Sequence, residues 1–119
     1  MATVSFANPT TSTDNKVFQW AGLTGGDVGQ PLPSINYVDK TVQVWGTIGA
    51  VITIQGTNDM RVISDPANAV WVTIKDNLGS DASFTAAGGA LLAQSYAYIR
   101  PSCAAGTTNA TVSINCTRY

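Results

Sequence analysis

Residues 40–59 read KTVQVWGTIGAVITIQGTND, and the alternation within this stretch decides the fold class. Val42, Val44 and Gly46 alternate with Gln43, Trp45 and Thr47, while Ile52, Ile54 and Gly56 alternate with Val51, Thr53 and Gln55. A period of two belongs to β-strands with one apolar and one polar face. A loop at Ile48, Gly49 and Ala50 closes the arms into a predicted β-hairpin in which Thr47 faces Val51, Val44 faces Ile54 and Gln43 faces Gln55. A slip of one residue would set apolar against polar throughout. The other face carries Trp45 among threonines and glutamines, a surface that something is expected to cover.

Upstream, KVFQWAG at Lys16–Gly22 is a predicted strand with Phe18 and Trp20 on one face. Residues 1–15 are rich in Thr, Ser, Asn and Ala around Pro9 and predict an extended amino-terminal arm, with Val4 and Phe6 touching down, ahead of one β-sandwich domain over residues 16–119. Residues 22–36, GLTGGDVGQPLPSIN, predict a long loop whose glycines can approach another backbone closely and whose Pro31 and Pro33 stiffen its exit.

Downstream, residues 57–69 are turn-rich, and VWVTIK at Val70–Lys75 predicts a strand with Val70, Val72 and Ile74 inward and Trp71, Thr73 and Lys75 outward. Asp76, Asn77, Leu78 and Gly79 turn the chain into Ala82–Ala87. The spacing of Asp76, Asn77, Gly79 and Asp81 resembles part of a calcium loop but lacks a closing glutamate, so a plain turn is expected. GGALLAQ at Gly88–Gln94 suggests a single helical turn. Tyr96–Cys103 and Thr108–Thr117 form the last two strands around a turn at Gly106, with Pro101 marking an edge or a bulge. Paired side by side, they would bring Cys103 near Val112 and Cys116 near Ile99, which favours two buried free thiols, with a disulfide left open by a small change of register. Short strands with frequent turns and almost no helix make the chain all-β, an antiparallel β-sandwich of the jelly-roll kind.

Composition limits the chemistry. The 119 residues suit one domain with a real core. Charged residues make up only 11%, which suits a surface that ends packed against other proteins. The basic residues are scattered, so no phosphate-tracking stripe and no nucleic-acid partner is expected. The chain has no histidine, and its acidic residues are all aspartates. That removes the commonest general base, most zinc sites and any Ser-His-Asp arrangement, so neither an enzyme nor a cofactor is expected. No leader pattern and no apolar run of membrane-spanning length is visible, and synthesis and folding in a cytoplasm are expected.

The candidate contact residues are Trp45, Trp71, Tyr96 and Tyr98, aromatic rings on polar strand faces, with Gly25, Gly26, Pro31 and Pro33 of the long loop. Either the loop and arm of the same subunit cover these rings or a partner does.

The order VQVWGTIGAVITIQGTND (42–59), WVTIKDNLGSDASFTAAG (71–88) and YAYIRPSCAAGTTNATVSIN (96–115) resembles the small capsid decoration, or cement, proteins of tailed bacteriophages. The shared marks are a V-x-x-x-G-T-x-G segment, an I-x-G-T-N-D turn, a W-x-x-I strand and an Arg-Pro strand before a Gly-rich turn. The resemblance implies a jelly roll on the outer face of an icosahedral phage head, made in the host cytoplasm, bound to the major capsid protein and forming a homodimer or other homo-oligomer there. TIQGTND (53–59), WVTI (71–74) and YIR (98–100) are also similar to discoidin-type carbohydrate-binding domains, which implies a glycan-binding module on a virion or secreted protein as the alternative.

Overall fold

Strands dominate the computed structural model, which describes residues 2–8, 15–34 and 37–117. In chain order they are β1 (Thr3–Val4), β2 (Phe6–Ala7), β3 (Asn15–Thr24), β4 (Val28–Gly29), β5 (Leu32–Pro33), β6 (Asp39–Ile48) and β7 (Ile52–Thr57), then β8 (Val72–Thr73), β9 (Ser83–Phe84), β10 (Gly88–Leu92), β11 (Tyr98–Cys103) and β12 (Thr108–Thr117). A short helix α1 (Arg61–Ser64) and a 3₁₀ turn (Pro66–Asn68) sit between β7 and β8. One sheet runs β10-β6-β12-β3-β2; the other runs β1-β4-β11-β7-β8, with β5 also beside β11 and β9 beside β7. From β3 onward the chain passes from one sheet to the other and back: β3, then β4 and β5, then β6, then β7 to β9, then β10, β11 and β12. This winding is the jelly roll.

The winding overturns the two expected hairpins. β6 pairs with β10 and β12, while β7 pairs with β11, β8 and β9, so the arms of the 40–59 stretch lie in opposite sheets. Val44 lies beside Val112 and Ile54 beside Pro101. The apolar faces of β6 and β7 still meet, but through the core, where Val42, Val44, Ile52 and Ile54 are buried. β11 and β12 are separated in the same way, so Cys103 sits beside Ile52 and Cys116 beside Lys40 and Lys16. Both cysteines are free and buried.

Three crossings meet at one end of the sandwich. A Cβ on Gly25 would fall 2.7 Å from Gly106 N, and one on Gly49 would fall 2.8 Å from Thr107 C, so only glycine lets these turns stack backbone on backbone. The Thr108 hydroxyl accepts hydrogen bonds from Gly49 N and Ala50 N, both at 3.2 Å.

The segment 22–36 reads as a loop free to dock elsewhere; its described residues, 22–34, are instead stitched into their own subunit, and residues 35–36 lie outside the described residues. Leu32 lies beside Ile99, and Leu23 and Leu32 are buried. The Asp27 carboxylate accepts from Thr24 N (3.0 Å), the Thr24 hydroxyl (2.8 Å) and Ala2 N (3.2 Å). The arm closes on the same segment: β1 runs parallel to β4, and Gln30 N donates to Val4 O at 2.7 Å. Phe6, on β2, packs edge-on against Phe18 and Trp20, at 5.5 and 5.7 Å between ring centres. Residues 9–14, the rest of the expected arm, lie outside the described residues.

Three further expectations are corrected. Gly88–Leu92 is an edge strand along β6, not a helical turn, because β6 supplies a ladder that the glycines alone would not specify. Val70 and Val72 are 61% and 44% exposed, and only Ile74 reaches the core, because β8 is a two-residue strand at the end of its sheet. Pro101 is buried in a strand with neighbours on both sides. Cys103 N donates toward β4, to Asp27 O at 2.8 Å, so the Pro101 nitrogen faces the same side, between the Ser102–Val28 pairing with β4 and the Ile99–Leu32 pairing with β5, where no ladder hydrogen bond from it is needed. Its ring fills the space left by Gly29, where a Cβ would lie 2.5 Å from Pro101 Cδ.

Candidate functional site

The outer face of the sheet containing β11 gathers three of the expected contact residues. Along β11, Tyr98, Arg100 and Ser102 are half-buried and alternate with fully buried Ile99, Pro101 and Cys103. Tyr98 lies between Pro33 on β5 and Thr57 on β7, and Arg100 lies beside Gln55. The Arg100 guanidinium sits 4.0 Å from the centre of the Trp71 ring, and its Nε donates to Gln55 Oε1 at 3.0 Å. Burial lowers its pKa from the ordinary arginine value, and the ring face compensates the partly desolvated charge. The result is a polar and aromatic plate made by Trp71, Arg100, Gln55 and Tyr98.

The connection 58–70 leads into Trp71, and sequence reasoning read it as turns and named no contact residue in it. It exposes Met60, Ile63 and Val70, and Val72 at the start of β8 is exposed as well. Asp59 organises it by accepting from Arg61 N (3.0 Å), from the Arg61 guanidinium (2.7 Å at Nη2) and from Val70 N (3.0 Å). The Arg61 side chain, then the Val70 and Arg61 amides, hold the Asp59 carboxyl well below the usual carboxylate range. The signal available in the sequence was an aspartate two residues before an arginine among exposed apolar positions.

The other expected contacts are dispersed. Tyr96 turns toward the core edge, where its ring covers Gly56; a Cβ there would lie 2.7 Å from Tyr96 Cγ. Gly25 is committed to the three-turn end, and Gly26 N donates to Cys103 O (3.1 Å) and Ala104 O (3.3 Å). Pro31 is half-buried between β4 and β5. Trp45 faces outward as expected, but on the opposite side of the sandwich from Trp71, since β6 and β8 belong to different sheets. It borders a shallow depression of about 230 Å³ with Val17, Thr41, Gln43, Ser113 and Asn115.

Among the described residues there is no group of three or more His, Cys, Asp or Glu side chains that could hold a metal ion. The Asp76–Asp81 turn uses its oxygens internally: Asp76 Oδ1 accepts from Leu78 N (2.9 Å) and Ser80 N (3.0 Å), and Lys75 pairs with Asp81. The buried titratable groups are structural in setting. Lys40 Nζ donates to Tyr37 O and the Ser95 hydroxyl, each at 3.2 Å, and burial lowers its pKa. Burial pushes the Cys116 thiol up to about 12, with Lys40 opposing. No helix among the described residues is long and apolar enough to cross a membrane.

No family model and no curated protein matches this chain. Solved structures do. The SPBc2 prophage-derived protein YomS superposes with a TM-score of 0.61 at 10% identity, covering 90% of this chain and 97% of its own. BH2720 from Bacillus halodurans gives 0.51 at 10% identity, over 96% of this chain and 70% of that one. An RmlC-like cupin protein from Desulfovibrio desulfuricans gives 0.50 at 8% identity, over 95% and 82%. At these identities the likeness shows the fold alone, a jelly roll.

Proposed function

We propose that this chain is a structural virion protein, a capsid decoration or cement subunit that binds the outer surface of an icosahedral phage head and stabilises it by bridging major capsid proteins. The observation that carries the reading is the Trp71–Arg100–Tyr98 plate, together with the exposed Met60, Ile63 and Val70 of the connection that leads into Trp71 and the exposed Val72 that follows it. An aromatic and arginine centre with exposed apolar side chains in the adjoining connection has the make-up of a protein–protein hot spot. Low overall charge and the prophage origin of YomS support the same reading. Its action would be non-enzymatic: binding many shell sites stabilises the assembled state by mass action. The major capsid protein is the partner, and a homodimer or other homo-oligomer on the shell is part of the proposal, each self-contact needing about 800 Å² per copy to be specific.

The test compares heads carrying the protein with heads stripped of it. The stripped heads should burst at lower temperature, and re-adding wild-type protein should restore the difference while Trp71→Ala restores less of it. Equal heat stability with and without the protein would end the reading. A saccharide-binding module is the second reading, and the depression beside Trp45 is the observation in its favour.

A further inference from the structure

We propose that the depression beside Trp45, on the outer face of the β10-β6-β12-β3-β2 sheet, is a binding site for one neutral sugar ring, presented as a residue of a glycan. Register builds the site. Thr41, Gln43 and Trp45 on β6 stand beside Asn115, Ser113 and Thr111 on β12, and Val17 and Gln19 on β3 flank Asn115 and Ser113 in turn. The volume of about 230 Å³ is below the roughly 300–1,000 Å³ of sites for larger ligands and suits a single ring. On the open side, β10 places Gly89 opposite Gln43, where no side chain blocks the continuation of a saccharide chain.

The chemistry selects the occupant. No charged side chain lines the depression, so nothing there compensates an anion or a cation. Trp45 is 38% exposed and supplies a ring for the apolar C–H face of a sugar. Asn115 lines the depression and its Oδ1 is buried without a hydrogen-bond partner, so a turn of the amide that brings it to a donor in the depression would be favourable. A sugar hydroxyl donates and accepts, so it answers whichever end of that amide is presented. Ser113 Oγ accepts from Gln19 Nε2 at 3.1 Å, which leaves its own hydrogen free for a ligand oxygen. An apolar ligand would leave these amides and hydroxyls unpaired. The site lies across the sandwich from the Trp71–Arg100 plate, so the two can be occupied together, and it stands or falls independently of the capsid proposal.

The experiment uses the free protein on an array holding neutral and acidic glycans. It is followed by titration with neutral monosaccharides (glucose, galactose, mannose and N-acetylglucosamine) watched by amide chemical shifts. Binding in the millimolar range is expected for one ring, with shifts centred on Thr41–Trp45 and Ser113–Asn115. Trp45→Ala and Asn115→Leu should each weaken it about tenfold or more, with Trp71→Ala as a control that leaves it unchanged. Both site variants are checked for unchanged dispersion of the remaining amide resonances, and a variant that does not fold is replaced by Gln43→Ala, for which the same loss is expected. Absence of binding to every neutral glycan, preference for acidic ones, or binding indifferent to Trp45, Gln43 and Asn115 overturns the assignment.

Discussion

Replacing Gly49 by alanine separates a strand crossing from a hairpin. In the structure the new Cβ would lie 2.8 Å from Thr107 C and 3.3 Å from Thr107 Cα, with the carbonyl oxygen nearer still, whereas ordinary contact begins at 3.4 Å. Backbone would therefore have to move by more than about 0.6 Å where the Thr108 hydroxyl holds Gly49 N and Ala50 N at 3.2 Å. Overpacking against rigid backbone costs about 1–3 kcal/mol. Weakening those two hydrogen bonds adds about 1 kcal/mol. The expected loss is about 3 kcal/mol, seen as a midpoint lower by about 10 °C in thermal unfolding. Gly88→Ala is the control: its Cβ meets nothing closer than 3.8 Å, so it should change stability by under about 1 kcal/mol, in the stabilising direction if unfolded-chain entropy dominates. In a side-by-side hairpin Gly49 would sit at an open loop tip and tolerate alanine. Urea unfolding of both variants, followed by circular dichroism, decides it, and a Gly49→Ala protein as stable as wild type refutes the crossing of β6 to β7 at this point.

Lys40→Met should stabilise the protein by about 1–2 kcal/mol at pH 7, because it removes a buried charge held only by neutral acceptors among its hydrogen-bond partners. In the wild type the Lys40 pKa is lowered from 10.5, so the unfolded chain binds more protons and this group's contribution rises with pH up to 10.5. Cys116 acts oppositely, its pKa being raised from 9.0 to about 12, so stability is lost as pH climbs through that interval. Lys40→Met should therefore lose stability more steeply than wild type from pH 9 to 12, read from urea midpoints. Asp59→Asn should lower the melting temperature at neutral pH. It should also flatten the loss of stability as pH falls below 3.8, since a depressed carboxyl pKa contributes only while the group is ionised. Trp71→Ala should cost the free protein about 1 kcal/mol through the lost Arg100 contact, but weaken attachment to the shell by about 2 kcal/mol or more, measured as copies retained on heads after dilution.

The fold class was legible because β6, β7, β11 and β12 alternate apolar and polar residues, and each buries its apolar face. Period two says which residues face inward; it does not say whether the apolar partner lies beside the strand or across the core. That is why Val44 and Ile54, both buried, were assigned to one hairpin when they belong to facing sheets. Local composition misled where tertiary pairing decides: Gly22–Asn36 reads as loop, yet Leu32 completes a ladder with Ile99, and Gly88–Leu92 becomes a strand only because β6 has a free edge. For the site, the outward turn of Trp45 and Trp71 followed from alternation, but their placement on opposite faces required the sheet order. Arg100 entered only as part of a motif and not as a contact residue, because Gln55, which holds it, is 45 residues away in sequence.

The most direct measurement for the decoration reading is the mass of intact heads together with the stoichiometry of their proteins. The account predicts this chain at a fixed ratio to the major capsid protein, removable without loss of the shell subunits. Heads that contain no copies, or a number that varies freely from one particle to another, would contradict it.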